Sequence, residues 1–73
     1  MAIQIVLDHS GDTRHWFDKR DKESLLRAEE RFRQLSERVY TAAVRNESGD
    51  HTIGRTFDPN ARETLFFPRL VGG

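Results

Sequence analysis

Few residues in this 73-residue chain could do chemistry. The most conspicuous are the last six, Pro68-Arg69-Leu70-Val71-Gly72-Gly73, which carry a charge, two aliphatics and two glycines out to a carboxylate. At ordinary glycine usage a terminal glycine pair arises by chance in roughly 1 chain in 200. The segment is therefore either a frayed end, the usual state of small terminal residues, or a working arm. His9, His15 and His51 could ligate a metal, but they fall in or beside two separate hairpins without short ligand spacing, so no metal site is expected. Trp16 and Tyr40 could stack on bases, yet 12 basic and 12 acidic residues cancel and leave no field for nucleic acid. The chain has no cysteine, hence no thiol nucleophile, thiolate metal site or disulfide. No glycine-rich phosphate loop and no Ser/His/Asp order stands out, so no catalytic residue is assigned and the chain is not expected to be an enzyme.

The elements that position these residues come from periodicity. Ile3-Gln4-Ile5-Val6-Leu7 reads as a strand with Ile3, Ile5 and Leu7 on one side and Val6 on the other. Turn formers at 8–12, with Gly11 able to take positive φ, return the chain through Thr13-Arg14-His15-Trp16-Phe17 as a hairpin. Either Trp16 or the pair His15 and Phe17 faces inward.

Asp18 or Asp21 can cap the helix that follows. Leu25, Ala28, Phe32, Leu35 and Val39, spaced 3, 4, 3 and 4, form its one apolar stripe. Glu23 with Arg27, Glu29 with Arg33 and Arg33 with Glu37 are i,i+4 pairs on its remaining surface.

From residue 39 the period changes to two. Tyr40, Ala42 and Val44 alternate with Thr41, Ala43 and Arg45, and the turn-rich 46–50 leads into a return strand over 51–57. Ile53 and Phe57 are expected on one face of it, with Gly54 marking a bulge or an edge. Asp58-Pro59-Asn60-Ala61 is a turn, and Glu63-Thr64-Leu65-Phe66-Phe67 is the last strand, which Pro68 ends by removing a ladder donor. Leu65, Phe66 and Phe67 cannot all face one side, so at least one lies on the open face. A helix with one apolar stripe and a sheet with one apolar face hide best against each other. The expected fold is α+β, with one helix across a mixed sheet.

This order, with a helix after the first hairpin and Gly-Gly just past a final strand, resembles the β-grasp fold of ubiquitin and its relatives. The opening Met1-Ala2-Ile3-Gln4-Ile5-Val6 is similar to a ubiquitin-type first strand. In the tail, Arg69, Leu70, Gly72 and Gly73 match ubiquitin's Leu-Arg-Leu-Arg-Gly-Gly, while Pro68 and Val71 depart from it. Phe66, Phe67, Pro68, Gly72 and Gly73 instead match the sulfur-carrier branch, whose members end in Phe-Phe-Pro-Pro, a small or aliphatic pair and Gly-Gly; Arg69 departs from that pattern.

The resemblance implies a β-grasp domain over 1–68 and a flexible tail over 69–73. It implies a protein modifier of the bacterial kind, adenylated at Gly73 by an ATP-dependent activating enzyme that reads Arg69, Leu70, Val71 and Gly72. The acyl group would pass to a cysteine thioester and then to target amines, with conjugating and deconjugating enzymes as further partners and no cofactor bound by the chain itself. The alternative is a sulfur carrier bearing a Gly73 thiocarboxylate and served by a sulfurtransferase; a third reading is a β-grasp binding module with incidental glycines. Only glycine admits the close backbone approach and unusual dihedrals that threading a terminus toward ATP demands. The open sheet face, ubiquitin's usual recognition surface, would here involve Thr41, Ala43, Arg45, Phe66 and Phe67. Lys19 and Lys22, the only lysines, are the candidate points of chain attachment. No apolar run is long enough for a signal peptide or a membrane span, so a soluble cytoplasmic protein without membrane contact is expected.

Overall fold

The computed structural model describes residues 1–38 and 40–69. The elements run β1 (Ala2–Asp8), β2 (Gly11–Phe17), α1 (Lys22–Glu37), β3 (Tyr40–Arg45), β4 (His51–Gly54) and β5 (Glu63–Pro68). They form one sheet in the order β2-β1-β5-β3-β4. β1 and β5 run parallel at its centre, and the other neighbours are antiparallel. One helix packs across this mixed sheet, which is an α+β fold of β-grasp-like topology.

Each element has a local cause. Asp8 accepts hydrogen bonds from the backbone and hydroxyl of Ser10, and Gly11 takes φ +131°, a region that side chains disfavour, so the first hairpin closes there. Of the two candidate caps, Asp21 is the N-cap: its Oδ1 accepts from the Glu23 N–H at 3.1 Å. Asp18 instead accepts from the Arg20 backbone N–H and holds the preceding turn. On the exposed side of α1, Arg33 binds Glu30 and Glu37, so the expected Glu29 pairing is replaced by one three residues back. Arg27 reaches Glu23 at 3.8 Å.

Ala28 and Phe32 are buried on the helix stripe, and Leu25 and Leu35 are half-buried beside them. Val39 lies outside the described residues. Against the stripe the sheet presents Phe17, Val6, Phe66, Ala42 and Val44, with Phe32 meeting Phe66 edge-on at 5.5 Å between ring centres. His15 and Phe17 therefore face inward, and Trp16 faces out at 61 % exposure.

One feature of this core was left open by the sequence, and a second departs from expectation. Gln4 is wholly buried: its Nε2 donates to the Ala28 carbonyl and its Oε1 accepts from Arg31 Nη1, both at 2.9 Å. The helix side of β1 is thus Gln4 and Val6, while the richer aliphatic side, Ile3, Ile5 and Leu7, faces away from α1. Secondly, β4 stops at Gly54, so Ile53 and Phe57 do not share a face. Ile53 is 63 % exposed, whereas Phe57 turns inward against Phe17 and Phe32.

Gly54 sits on edge strand β4 directly over the buried Val44. A Cβ there would stand 2.5 Å from Val44 Cγ2. Gly54→Ala is expected to cost about 1–3 kcal/mol through this overpacking. A urea midpoint indistinguishable from that of the unsubstituted protein would show that the strand edge yields freely.

Candidate functional site

The tail is carried by β5, the middle strand of the sheet, held by β1 through Ile3–Val6 on one side and by β3 through Tyr40–Arg45 on the other. Its beginning is fixed by backbone hydrogen bonds from Ile3 N–H to the Arg62 carbonyl and from Arg62 N–H to the Arg45 carbonyl. Its end is Pro68, opposite Tyr40, where a residue without an N–H costs the ladder least. The exposed Arg69 donates from Nη2 to the Tyr40 carbonyl at 3.4 Å. Leu70, Val71, Gly72 and Gly73, on which the tail chemistry was expected to fall, lie outside the described residues.

Because directly paired residues share a face, the registers map the side of the sheet away from α1. One row reads Trp16, Ile3, Glu63, Arg45 and His51, and the next reads Arg14, Ile5, Leu65, Ala43 and Ile53. A further row carries Asp12, Leu7, Phe67 and Thr41. Ile5, Leu65, Ala43 and Ile53 thus make an unbroken apolar line across four strands. Charge pairs flank it: Arg14 with Asp12 at 3.2 Å and Arg45 with Glu63 at 3.5 Å. No described residue packs over it as α1 does on the opposite face.

Of the residues expected on this surface, Thr41, Ala43, Arg45 and Phe67 lie on it. Phe66 does not; it is wholly buried on the helix side, because adjacent strand residues point to opposite faces. The surface includes residues that the sequence reading did not assign to it: Trp16, Ile3, Ile5, Leu7, Leu65 and Ile53. Alternation in β1 and β5 placed them together, but nothing in the sequence alone said which parity faced the helix.

Lys19 and Lys22 flank the start of α1. Lys19 Nζ donates to Asn60 Oδ1 at 3.3 Å, and Lys22 is the first helical residue. Both belong to the pole where β1 and β5 begin, opposite the one from which Arg69 leaves. A cleft of about 570 Å³ opens at that same pole, bounded by Met1, Lys19, Arg20, Asn60 and Arg62.

The three histidines are dispersed, His9 in the first turn, His15 on β2 and His51 at the start of β4. Burial, and secondarily the charge of Arg31, hold the His15 pKa below the ordinary imidazole value. Among the described residues no three metal-ligating side chains gather, and no helix is long and apolar enough to cross a membrane.

Fold and surface together define a small β-grasp-like domain in which one face of the sheet is covered by the helix and the other, an apolar line flanked by charge pairs, is covered by no described residue. Comparison with protein-family models, with curated proteins and with solved structures gives no match.

Proposed function

We propose that the chain is a ubiquitin-like protein modifier joined to its targets through Gly73. The observation that carries this reading is the conjunction of a β-grasp-like sheet with a central last strand ending at Pro68, followed by Arg69, Leu70, Val71, Gly72 and Gly73. Anchoring the arm on the middle strand, paired on both sides, lets a partner pull on the tail without fraying the sheet.

The chemistry is acyl transfer performed by other proteins. The Gly73 carboxylate attacks the α-phosphorus of ATP and expels pyrophosphate, giving an acyl-adenylate. A thiolate of the activating enzyme displaces AMP to form a thioester, which passes to a conjugating enzyme. A target amine then displaces the thiol, and loss of its proton leaves an isopeptide. The chain is substrate throughout and not an enzyme, in keeping with its lack of cysteine. Arg69, Leu70, Val71 and Gly72 are the segment the activating enzyme reads, a deconjugating protease reverses attachment, and the open face around Thr41, Ala43, Arg45 and Phe67 docks partners. Lys19 and Lys22 would accept a second copy at the pole away from the tail.

The run Phe66-Phe67-Pro68 favours a second reading, a sulfur carrier. Adenylation is the same, but sulfide delivered by a sulfurtransferase displaces AMP and leaves a thiocarboxylate on Gly73. A non-conjugated binding module would need neither step.

Protein recovered from its native host separates the three. The modifier yields Gly-Gly remnants on lysines of other proteins after tryptic digestion only if an arginine or lysine precedes the pair; here Val71 does, so cleavage after Arg69 leaves Leu-Val-Gly-Gly on the target. The carrier shows, by intact mass, one sulfur in place of one oxygen. Removing Gly73 is expected to abolish either product, and a cellular role that survives this deletion would leave the binding module standing.

A further inference from the structure

Where α1 crosses β2, two basic side chains share a half-buried seam. Gln4 stands at its centre, wholly buried, donating from Nε2 to the Ala28 carbonyl and accepting at Oε1 from Arg31 Nη1 at 2.9 Å. His15 lies directly across the ladder between β1 and β2 from Gln4, so its ring is next to that residue on the helix side of the sheet. His15 and Arg31 are both half-buried.

Among the described residues, nothing facing the ring would offset a positive charge on it. β1 presents Gln4 and, diagonally, Ala2 and Val6, and β2 itself presents Thr13 and Phe17, all uncharged. From α1 the charge that reaches the ring is that of Arg31, and it has the same sign. The acids of the helix are turned to other partners or to water: Glu23 to Arg27, Glu30 and Glu37 to Arg33, and Glu29 exposed. No described carboxylate lies within 4.0 Å of Arg31. Burial first, and the arginine second, therefore keep the imidazole neutral to a lower pH than usual.

We propose that His15 and Arg31 form an acid-operated latch: charging the imidazole puts two cations in one half-buried seam and loosens β2 from α1, while the pairing of β1, β5 and β3 holds. β2 is the strand to give way because it is an outer strand, paired only with β1, and its one buried side chain is Phe17 at its end. Since the folded form holds the ring's pKa below its unfolded value, the latch is fully closed above about pH 6.5, the free imidazole value. It weakens as the pH falls toward and through the lowered value. His9 and His51 are exposed and take no part. The latch does not depend on the tail chemistry.

The test is an NMR titration of the full chain from about pH 8 to about pH 5, the range in which histidine changes charge, following the His15 ring, with amide hydrogen exchange measured across it. His15 is expected to titrate below an ordinary imidazole. Amides of β2 should lose protection with the same midpoint, while those of β5 keep theirs. The rise in the opening constant of β2 should approach the ratio of the ring's dissociation constants in the closed and open forms. His15→Gln should abolish the acid-dependent loss, and Arg31→Gln should raise the His15 pKa. A ring that titrates at or above the ordinary value in the unsubstituted protein would overturn the proposal without any variant. So would a loss of protection uniform across the sheet, one that persists in His15→Gln, or a His15 pKa indifferent to Arg31→Gln.

Discussion

Phe66→Ala is expected to cost about 3–5 kcal/mol, the range for emptying a phenylalanine site in a packed core. The whole domain should be worth only about 4–11 kcal/mol at ordinary stability per residue, so much of the population could unfold from one substitution. The reason is position. Phe66 is wholly buried in the middle of the central strand, beside Ala42 of β3 and Val6 of β1, with Phe32 of the helix against its ring. No neighbour is free to collapse into the space without breaking sheet pairing. Phe67, one residue on, is half-buried on the open face, and Phe67→Ala should be much milder. Urea unfolding of the two variants decides the matter: if Phe67→Ala is the more damaging, the parity of β5 described above is wrong.

Gln4→Leu should cost about 1–3 kcal/mol, although leucine is a good residue for a buried strand. The substitution fills a similar volume but strips from the half-buried Arg31 its one hydrogen-bond partner among the described residues, and an orphaned polar group costs more than the bond itself was worth. The Ala28 carbonyl loses an extra donor as well. Removing both members of the pair should therefore recover stability: Gln4→Leu combined with Arg31→Leu is expected to be more stable than Gln4→Leu alone. A double-mutant cycle with no coupling between the two sites would mean that the Gln4–Arg31 bond adds nothing in solution.

These two residues also mark how far the sequence could be read. The order of elements was legible because its signals are local: the stripe of Leu25, Ala28, Phe32 and Leu35, the turn chemistry at Gly11 and over 46–50, and the change of period at Tyr40. Facing was not. β1 has aliphatics on both sides, and Gln4 belongs inside only because partners 24 and 27 positions away meet both ends of its amide. Phe57 misled for a related reason, since a strand period extrapolated past Gly54 cannot register that the chain has left the sheet. At the candidate site, Thr41, Ala43 and Arg45 could be assigned to one alternating set, but their joining with Ile5 and Leu65 depends on registers that no single strand encodes. The tail was conspicuous by composition, and its proposed role rests on chemistry outside the described residues.

The central position of β5 has a consequence for the order of events during synthesis. The two hairpins, β1 with β2 and β3 with β4, touch each other in the sheet only through β5, whose partners include Ile3, 60 positions before Glu63. A nascent chain that has not yet released its final strand has two ribbons and no keystone, and ribbons of two strands are marginal in water. This domain can therefore become native only once β5 has left the ribosome. A ribosome that stops short of residue 63 yields a product with no sheet to protect it from proteolysis, so quality control of this protein is built into the chain position of a single strand.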